Sequence, residues 1–496
     1  MAQQSVHDPA RPGTVETGSP RVTVELNGIN VIAEHERKGS PRDLFWPWFG
    51  ANVSVLGLAY GSFLFGFGIS FGQAVVAGVV GIVVSFLLCG LIAIAGKRGS
   101  APTLVLSRAA FGVNGNRVPA VLSWVLTVGW ETVLVSLATL ATSTVFTHLG
   151  WGGGTATKVI ALIVVAVLVV GGGVLGFDPI MRMQTVITWI TGVLTVVYIV
   201  LVADHVHWAA VTSAKPGSAA VFIGALIFVM TGYGFGWVNA AADYSRYLPR
   251  SASTRGVVGW TTFGGALAPV VLLIAGLLLA GSDPALSKAI GLDPIGALST
   301  ILPTWFLVPF ILVVVLGLIG GALLDIYSSG LSLLAAGLRV RRPVAATIDG
   351  ALMVGGTVAV VFFAGDFFFQ FQGFLITLGV PIAAWCGIML ADLALRRRDY
   401  AEPELFDPTG RYGSVQPVAL ALLALGTFLG WGLVTNTYAG WLDWQGYLLE
   451  AVGLGGRTGN WAYANLGVLV AFVVGLAGTL VLRRSAVREQ ERNLAA

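Results

Sequence analysis

Charge is scarce in this chain. Only 10% of its 496 residues are Asp, Glu, Lys or Arg, against about 25% in a typical soluble domain. That deficit excludes an ordinary water-soluble globule. Cysteine is nearly absent: Cys89 and Cys386 both lie inside apolar runs, which excludes a disulfide framework and any metal-ligand spacing. The five histidines (His7, His35, His148, His205 and His207) all fall outside the apolar runs. No imidazole is therefore on hand for a buried proton path. No Walker A or other phosphate loop occurs, so ATP bound to this chain is excluded as an energy source. No His/carboxylate metal set or nucleophile–base grouping falls within the runs, which argues against an enzyme.

What is present is hydrophobicity, at 56% of residues, together with 66 glycines. The apolar residues come in blocks of roughly 20, the length that crosses a bilayer. Small residues let such helices pack closely and break locally. Twelve spans are expected, at 44–68, 72–96, 117–146, 158–177, 184–203, 219–246, 257–281, 302–338, 344–364, 367–394, 415–435 and 462–483. Residues 1–43 are polar and lack an apolar h-region, so they read as a flexible cytoplasmic tail rather than a signal peptide. Residues 484–496 form a second cytoplasmic tail.

An even count puts both termini on one side. If that side is cytoplasmic, 24 of the 28 Lys and Arg residues lie inside, leaving only Lys158, Lys215, Lys288 and Arg457 outside. This bias fixes a multi-pass orientation in the plasma (inner) membrane. It also accounts for the net charge of +4 without invoking nucleic acid. The bilayer is the implied partner. The segment "WLDWQGYLLEAVGLGGRTGNW" on the outside reads as interfacial.

Two spans carry closely spaced glycines in matching register. Gly57 and Gly61 of the first correspond to Gly232 and Gly236 of the sixth, 175 residues on. Paired weak points five spans apart indicate helices broken near the midplane, as in inverted-repeat transporters. Carbonyls freed by such a break can coordinate a cation. The plainer reading of these glycines is close helix packing.

At this point a resemblance emerges. "GWVNAAADYSRYLP", Gly236 to Pro249, resembles the sixth-span signature of the nucleobase–cation symporter family, in its purine-cytosine permease branch. The Trp237-to-Asp243 spacing is retained. "FWPWFGANVSVLGLAYGSFLFG", "GKRGSAPTLVLSRAAFGVNGN" and "LDIYSSGLSLLAAG" follow in the order that the family keeps. The resemblance covers roughly residues 30–480. It implies an all-α polytopic membrane protein of about 12 transmembrane helices with the leucine-transporter-type fold. Two inverted five-helix repeats, 44–203 and 219–394, would be followed by two peripheral helices within 415–483. It further implies import of a nucleobase, such as cytosine or a purine, with H⁺ or Na⁺ and no cofactor. Hydantoins, allantoin, nucleosides and vitamins remain alternative substrates, and a channel is the weaker alternative.

A flat heterocycle needs an aromatic face and a few polar groups to read its edge. Trp130 matches the family's stacking Trp in the third span. Trp237 matches the sixth-span aromatic, with Tyr233 and Phe235 as neighbours able to share the role, beside Gly57 and Gly236. Where the family often has an amide one turn after that Trp, this chain has Leu134, and Thr127 is a weak substitute. Asp325 stands where the branch commonly has an Asn, two residues before Tyr327.

A lone acid in an apolar helix is expensive and therefore functional by default. Asp325 is expected to contact substrate, to carry the symported proton, or both. Glu131 is either a structural partner or a second proton carrier. Sodium-coupled relatives supply hydroxyls on the eighth span, but this chain reads "GLIGG" there. That favours the proton. The sodium reading keeps a weak site at the first-span carbonyls near Gly57 and Gly61, facing Gly317, Gly320 and Gly321. Asp243 is expected to pair with Arg246 at a helix end. Asp366, Gln370 and Gln372 are expected at an interfacial helix start.

Overall fold

The computed structural model describes residues 24–364, 367–437 and 440–492. Among these the chain is all-helical, with no strand. Among the described residues nine helices are long and apolar enough to cross a membrane, or up to eleven when two bent pairs each count as one, and Pro417–Gly432 is a shorter apolar helix. Every one of the twelve apolar segments carries helix. In order they are Phe45–Asn52 with Leu56–Gly66, Phe71–Gly99, Arg117–His148, Thr155–Leu175, Phe177–Leu201, Ala219–Gly232, Thr254–Ser282, Leu307–Ala335, Arg342–Phe363, Phe367–Leu395, Pro417–Gly432 and Leu466–Leu482. They are called the first to twelfth segments below.

The third and eighth segments share the largest contact, followed by the tenth with the twelfth and the second with the seventh. Small residues make this possible. Gly61 and Gly276 lie where the first and seventh segments cross, and a Cβ on either would run into the other helix's backbone. The fourth and fifth segments, by contrast, leave Ile160, Ile163, Val167, Val193 and Val196 exposed, an apolar outer surface suited to lipid.

The first segment breaks, but not at the expected glycines. Val53 leaves the helical region (φ −81°, ψ 75°), and the two halves meet at 64°. The amides of Ser54 and Gly57, which would close helical bonds onto Gly50 and Val53, instead bond Asn52 O at 3.1 Å and Ser54 O at 2.8 Å. Gly57 and Gly61 sit inside the second half-helix as packing residues: a Cβ on Gly57 would lie 2.7 Å from Leu272 Cβ. The packing reading holds for both, because the seventh segment approaches too closely for any side chain.

The sixth segment breaks at Tyr233 (φ −113°, ψ −103°), directly after Gly232. The second segment takes up the freed backbone groups. Ser85 Oγ accepts from Gly234 N at 3.1 Å, and Cys89 Sγ donates to Gly234 O at 3.1 Å. Beyond Ala240 the chain runs in turns to Tyr247, so the helix expected to reach residue 246 stops six residues short.

The expected flexible tail also needs correction where it is described. Residues 24–43 pack along the end of the bundle that carries the arginine clusters, and Ile32 is fully buried. Glu25 N donates to Leu175 O at 2.9 Å, and Ile32 N to Ser100 O at 2.8 Å. The Glu25 carboxylate receives Arg246 Nη2 at 2.9 Å, Tyr247 Oη at 2.5 Å, Tyr327 Oη at 3.1 Å and Phe177 N at 2.7 Å. Arg342 donates to the Glu25 carbonyl at 3.2 Å. One acid shared by two buried guanidiniums holds the segment down.

Candidate functional site

Two adjoining cavities open from the end of the bundle opposite the arginine clusters. The outer one, about 860 Å³, is lined by Phe65, Phe67, Val211, Lys288 and Leu292 among others. The inner one, about 40 Å³, is lined by Tyr60, Trp130, Phe228, Gly232, Phe371 and Gln372. Phe63, Phe228, Gln372, Ile376 and Asn465 line both, so the two share a wall. The inner cavity ends at the Tyr233 break.

Trp130 is thus at the inner end of an access route. Its ring meets Phe371 edge-on at 4.9 Å. A Cβ on Gly236 would come within 3.3 Å of Trp130 Nε1, so the absence of a side chain there leaves the indole room. Tyr233 lies 4.6 Å from Tyr60 between ring centroids, and its hydroxyl is buried with no hydrogen-bond partner among the described residues. Trp237 lies deeper, edge-on to Trp48 at 5.8 Å. Phe235 does not join them. It is buried against Phe472 of the twelfth segment, at 6.1 Å, because the turn after Tyr233 rotates it outward.

Asp325 is buried on the eighth segment, and neither carboxylate oxygen has a hydrogen-bond partner among the described residues. Glu131 on the third segment is in the same condition. Two contacts set the antiparallel register of these helices. Ser123 Oγ lies 3.0 Å from Ser332 Oγ, and a Cβ on Gly321 would lie 2.8 Å from Leu134 Cδ1. That register brings Trp130 and Glu131 level with Asp325. Neither acid lines the two cavities.

Leu134 is accounted for by the same contact: it packs into the notch at Gly321. Thr127 is spent on its own helix, donating to Ser123 O at 2.9 Å, and has no hydroxyl proton left for a ligand. Asp243 does not pair with Arg246. It accepts from Thr103 N at 2.7 Å and Thr103 Oγ1 at 2.8 Å, fixing the loop after the second segment. Asp366 lies outside the described residues.

The first-segment bend faces Gly317, Gly320 and Gly321. A Cβ on Gly317 would collide with Val53 O, and one on Gly320 with Gly50 O. The glycines therefore let unpaired carbonyls approach the eighth segment directly. Sequence reasoning missed the residue that joins them. Gln184 of the fifth segment is fully buried, donates Nε2 to Gly320 O at 2.6 Å, and leaves Oε1 without a partner beside Gly50. Thr188, one turn on, donates to Trp46 O at 3.2 Å.

Asp349 of the ninth segment was also missed. Fully buried, it accepts from Trp124 Nε1 at 2.7 Å and Ser329 Oγ at 3.0 Å. Ser329 sits one turn from Asp325, so a hydroxyl stands between the two acids. A polar residue in an apolar run is the signal that could have found both.

A family described as permeases for cytosine/purines, uracil, thiamine and allantoin matches residues 31–450. The chain belongs to this permease family. A putative purine-cytosine permease of Bacillus subtilis (strain 168), YxlA, is 24% identical over 418 residues, which cover 82% of this chain and 87% of that protein. Among solved structures, Mhp1, a nucleobase-cation-symport-1 family transporter, superposes in a closed conformation with bromovinylhydantoin bound. Its TM-score is 0.69 at 20% identity, over 95% of this chain and 96% of that one. Inward-facing Mhp1 gives 0.62 at 20% identity, over 96% of both chains. A Na⁺-coupled sialic acid symporter gives 0.55 at 10% identity, over 90% and 91%. The expected fold class is thereby met: a helical membrane permease shaped like these symporters.

Proposed function

We propose that this permease is a symporter importing a nucleobase, such as cytosine or a purine, or a related small heterocycle, together with a proton by alternating access. It would act in the plasma (inner) membrane with both termini cytoplasmic. The repeats would be 44–203 and 219–394, inverted with respect to each other, with the last two spans peripheral. The substrate ring would enter through the outer cavity and stack on Trp130, closed in by Phe371 and Tyr60, with Tyr233 Oη and Gln372 reading its edge. Such stacking contributes about 1–3 kcal/mol and discriminates little between rings.

The observation that carries the proton reading is the pair of buried acids level with Trp130, neither answered by a cation among the described residues. Asp325 and Glu131 need protons to be tolerated in an apolar interior, and releasing them costs free energy that a gradient can supply. Ser329 and Asp349 extend the same polar line toward the arginine-rich end.

One observation favours sodium instead. Gln184 Oε1 has no hydrogen-bond partner among the described residues and lies beside Gly50 at the first-segment bend, and hard oxygens of this kind suit a small cation. Uptake into proteoliposomes separates the two. Radiolabelled cytosine and hypoxanthine are offered with an imposed pH gradient or with an imposed Na⁺ gradient, and unlabelled heterocycles compete. Accumulation driven by the pH gradient in Na⁺-free buffer supports the proton. Accumulation that needs Na⁺ and ignores pH sinks it.

A further inference from the structure

A third cavity, about 770 Å³, lies at the arginine-rich end, away from the route just described. Five of its lining residues are Arg108, Arg117, Arg339, Arg341 and Arg342, and no aspartate or glutamate lines it. Arg342 is answered by Glu25. The other four form no salt bridge among the described residues.

Arg108 is the informative one. It is only 6% exposed, held between the second and third segments on the short turn Arg108–Phe111. Nη1 donates to Leu405 O at 3.1 Å and the guanidinium rests 5.2 Å over the Phe406 ring. Its Nε is buried with no acceptor. Burial, and then the neighbouring Arg117 charge, pull this guanidinium down to about 10. A buried cation without an anion, pressed by a second cation, is unfavourable unless an anion joins them.

The chain also makes room there. Gly337 adopts φ +116°, and a Cβ on it would come within 3.3 Å of Arg117 Nε. Its glycine turn carries the chain past that guanidinium on the way to Arg339 and Arg341. Beside the exposed Arg117 and Arg339 the rim carries apolar side chains, with Leu26 76% exposed next to Leu338 and Val340. Positive-inside sorting explains arginines in loops, but it does not explain one buried without a counter-charge in a walled cavity.

We propose that this cavity binds a phosphate group through the forks of Arg108, Arg117 and Arg339. Guanidinium forks match phosphate oxygens in planar pairs, and basic pockets between the ends of membrane helices are suited to phospholipid head groups. The phosphate belongs either to an anionic phospholipid or to a soluble phosphate. The site shares no lining residue with the two cavities described above, and its occupancy is measurable without transport.

The test uses the full chain, purified in detergent, and follows its thermal unfolding. One arm titrates sodium phosphate against sodium chloride at equal ionic strength. The other titrates phosphatidylglycerol against phosphatidylcholine. A midpoint that rises with phosphate, or with phosphatidylglycerol alone, supports the site and identifies its source. Arg117→Gln with Arg339→Gln, both on the exposed rim, weakens the apparent affinity roughly tenfold, as the loss of a charge-assisted bond implies. Arg108→Lys keeps the charge but loses the fork and falls between. No rise in either arm, or an unchanged titration in the double variant, overturns the proposal.

Discussion

Gly320 lies so close to the first-segment bend that any side chain on it would meet the Gly50 carbonyl. The two residues belong to different helices, and their contact decides what the bend can hold. The first segment's own backbone thus fills the space beside Gly320. Gln184, arriving from the fifth segment, supplies the side chain that touches this seam.

Gly320→Ser is therefore expected to destabilise rather than to restore a sodium site. Overpacking of this kind costs about 1–3 kcal/mol. The thermal unfolding midpoint of the purified variant should fall by several degrees, and added Na⁺ should not recover it. A variant as stable as the parent would contradict the contact.

Trp130→Ala should weaken substrate binding by about 1–3 kcal/mol, a factor of roughly 5 to 150, with the fold retained. Phe235→Ala should behave in the opposite way, because Phe235 packs on Phe472. It should lower stability and leave the dissociation constant near that of the parent. Equilibrium binding and unfolding, measured on both variants, check the pair.

Asp325→Asn should remain folded, since the amide has nearly the shape of the acid and no partner is lost. Uptake driven by an imposed pH gradient should disappear while exchange of labelled for unlabelled substrate persists. Asp349→Asn should slow the pH-driven flux and leave binding at Trp130 unaffected, because the side-chain hydrogen bonds of Asp349 go to Trp124 and Ser329. Loss of binding in Asp349→Asn would remove it from the proton path.

Glu25→Gln should be costly for a residue near the chain's start. Removing one partner of a buried ion pair costs about 3–5 kcal/mol, because the guanidinium left behind is uncompensated. Arg246→Ala should cost a similar amount, and the double variant less than the sum, since they break the same contact. A double-mutant cycle in thermal unfolding measures this coupling. Strict additivity would refute it.

The legible part of the site was the part carried by residue type in an apolar background. Trp130, Glu131 and Asp325 stood out because polar and aromatic groups are rare there; that Glu131 and Asp325 lie at one level was decided by the packing of the third segment on the eighth. Phe371 and Tyr60 did not stand out. An aromatic in an apolar run is unremarkable until another helix brings it against a Trp. Gln184 was overlooked as one amide in a peripheral-looking helix, and Glu25 as one acid in a polar tail. Each acquires its role from partners more than a hundred residues away in sequence.

By itself the sequence determined the twelve apolar segments, the concentration of arginine at one end, and the motifs that place the chain among these permeases. Those are local or additive properties, written in composition and spacing. Only the tertiary structure decided where the helices break and what the glycines do. A glycine permits either a bend or a close approach, and its own sequence neighbourhood does not choose between them. At Gly57 and Gly61 the seventh segment chose the close approach. At Val53, where the freed amides find acceptors in their own turn, and at Tyr233, where Ser85 and Cys89 take up Gly234, the chain bends.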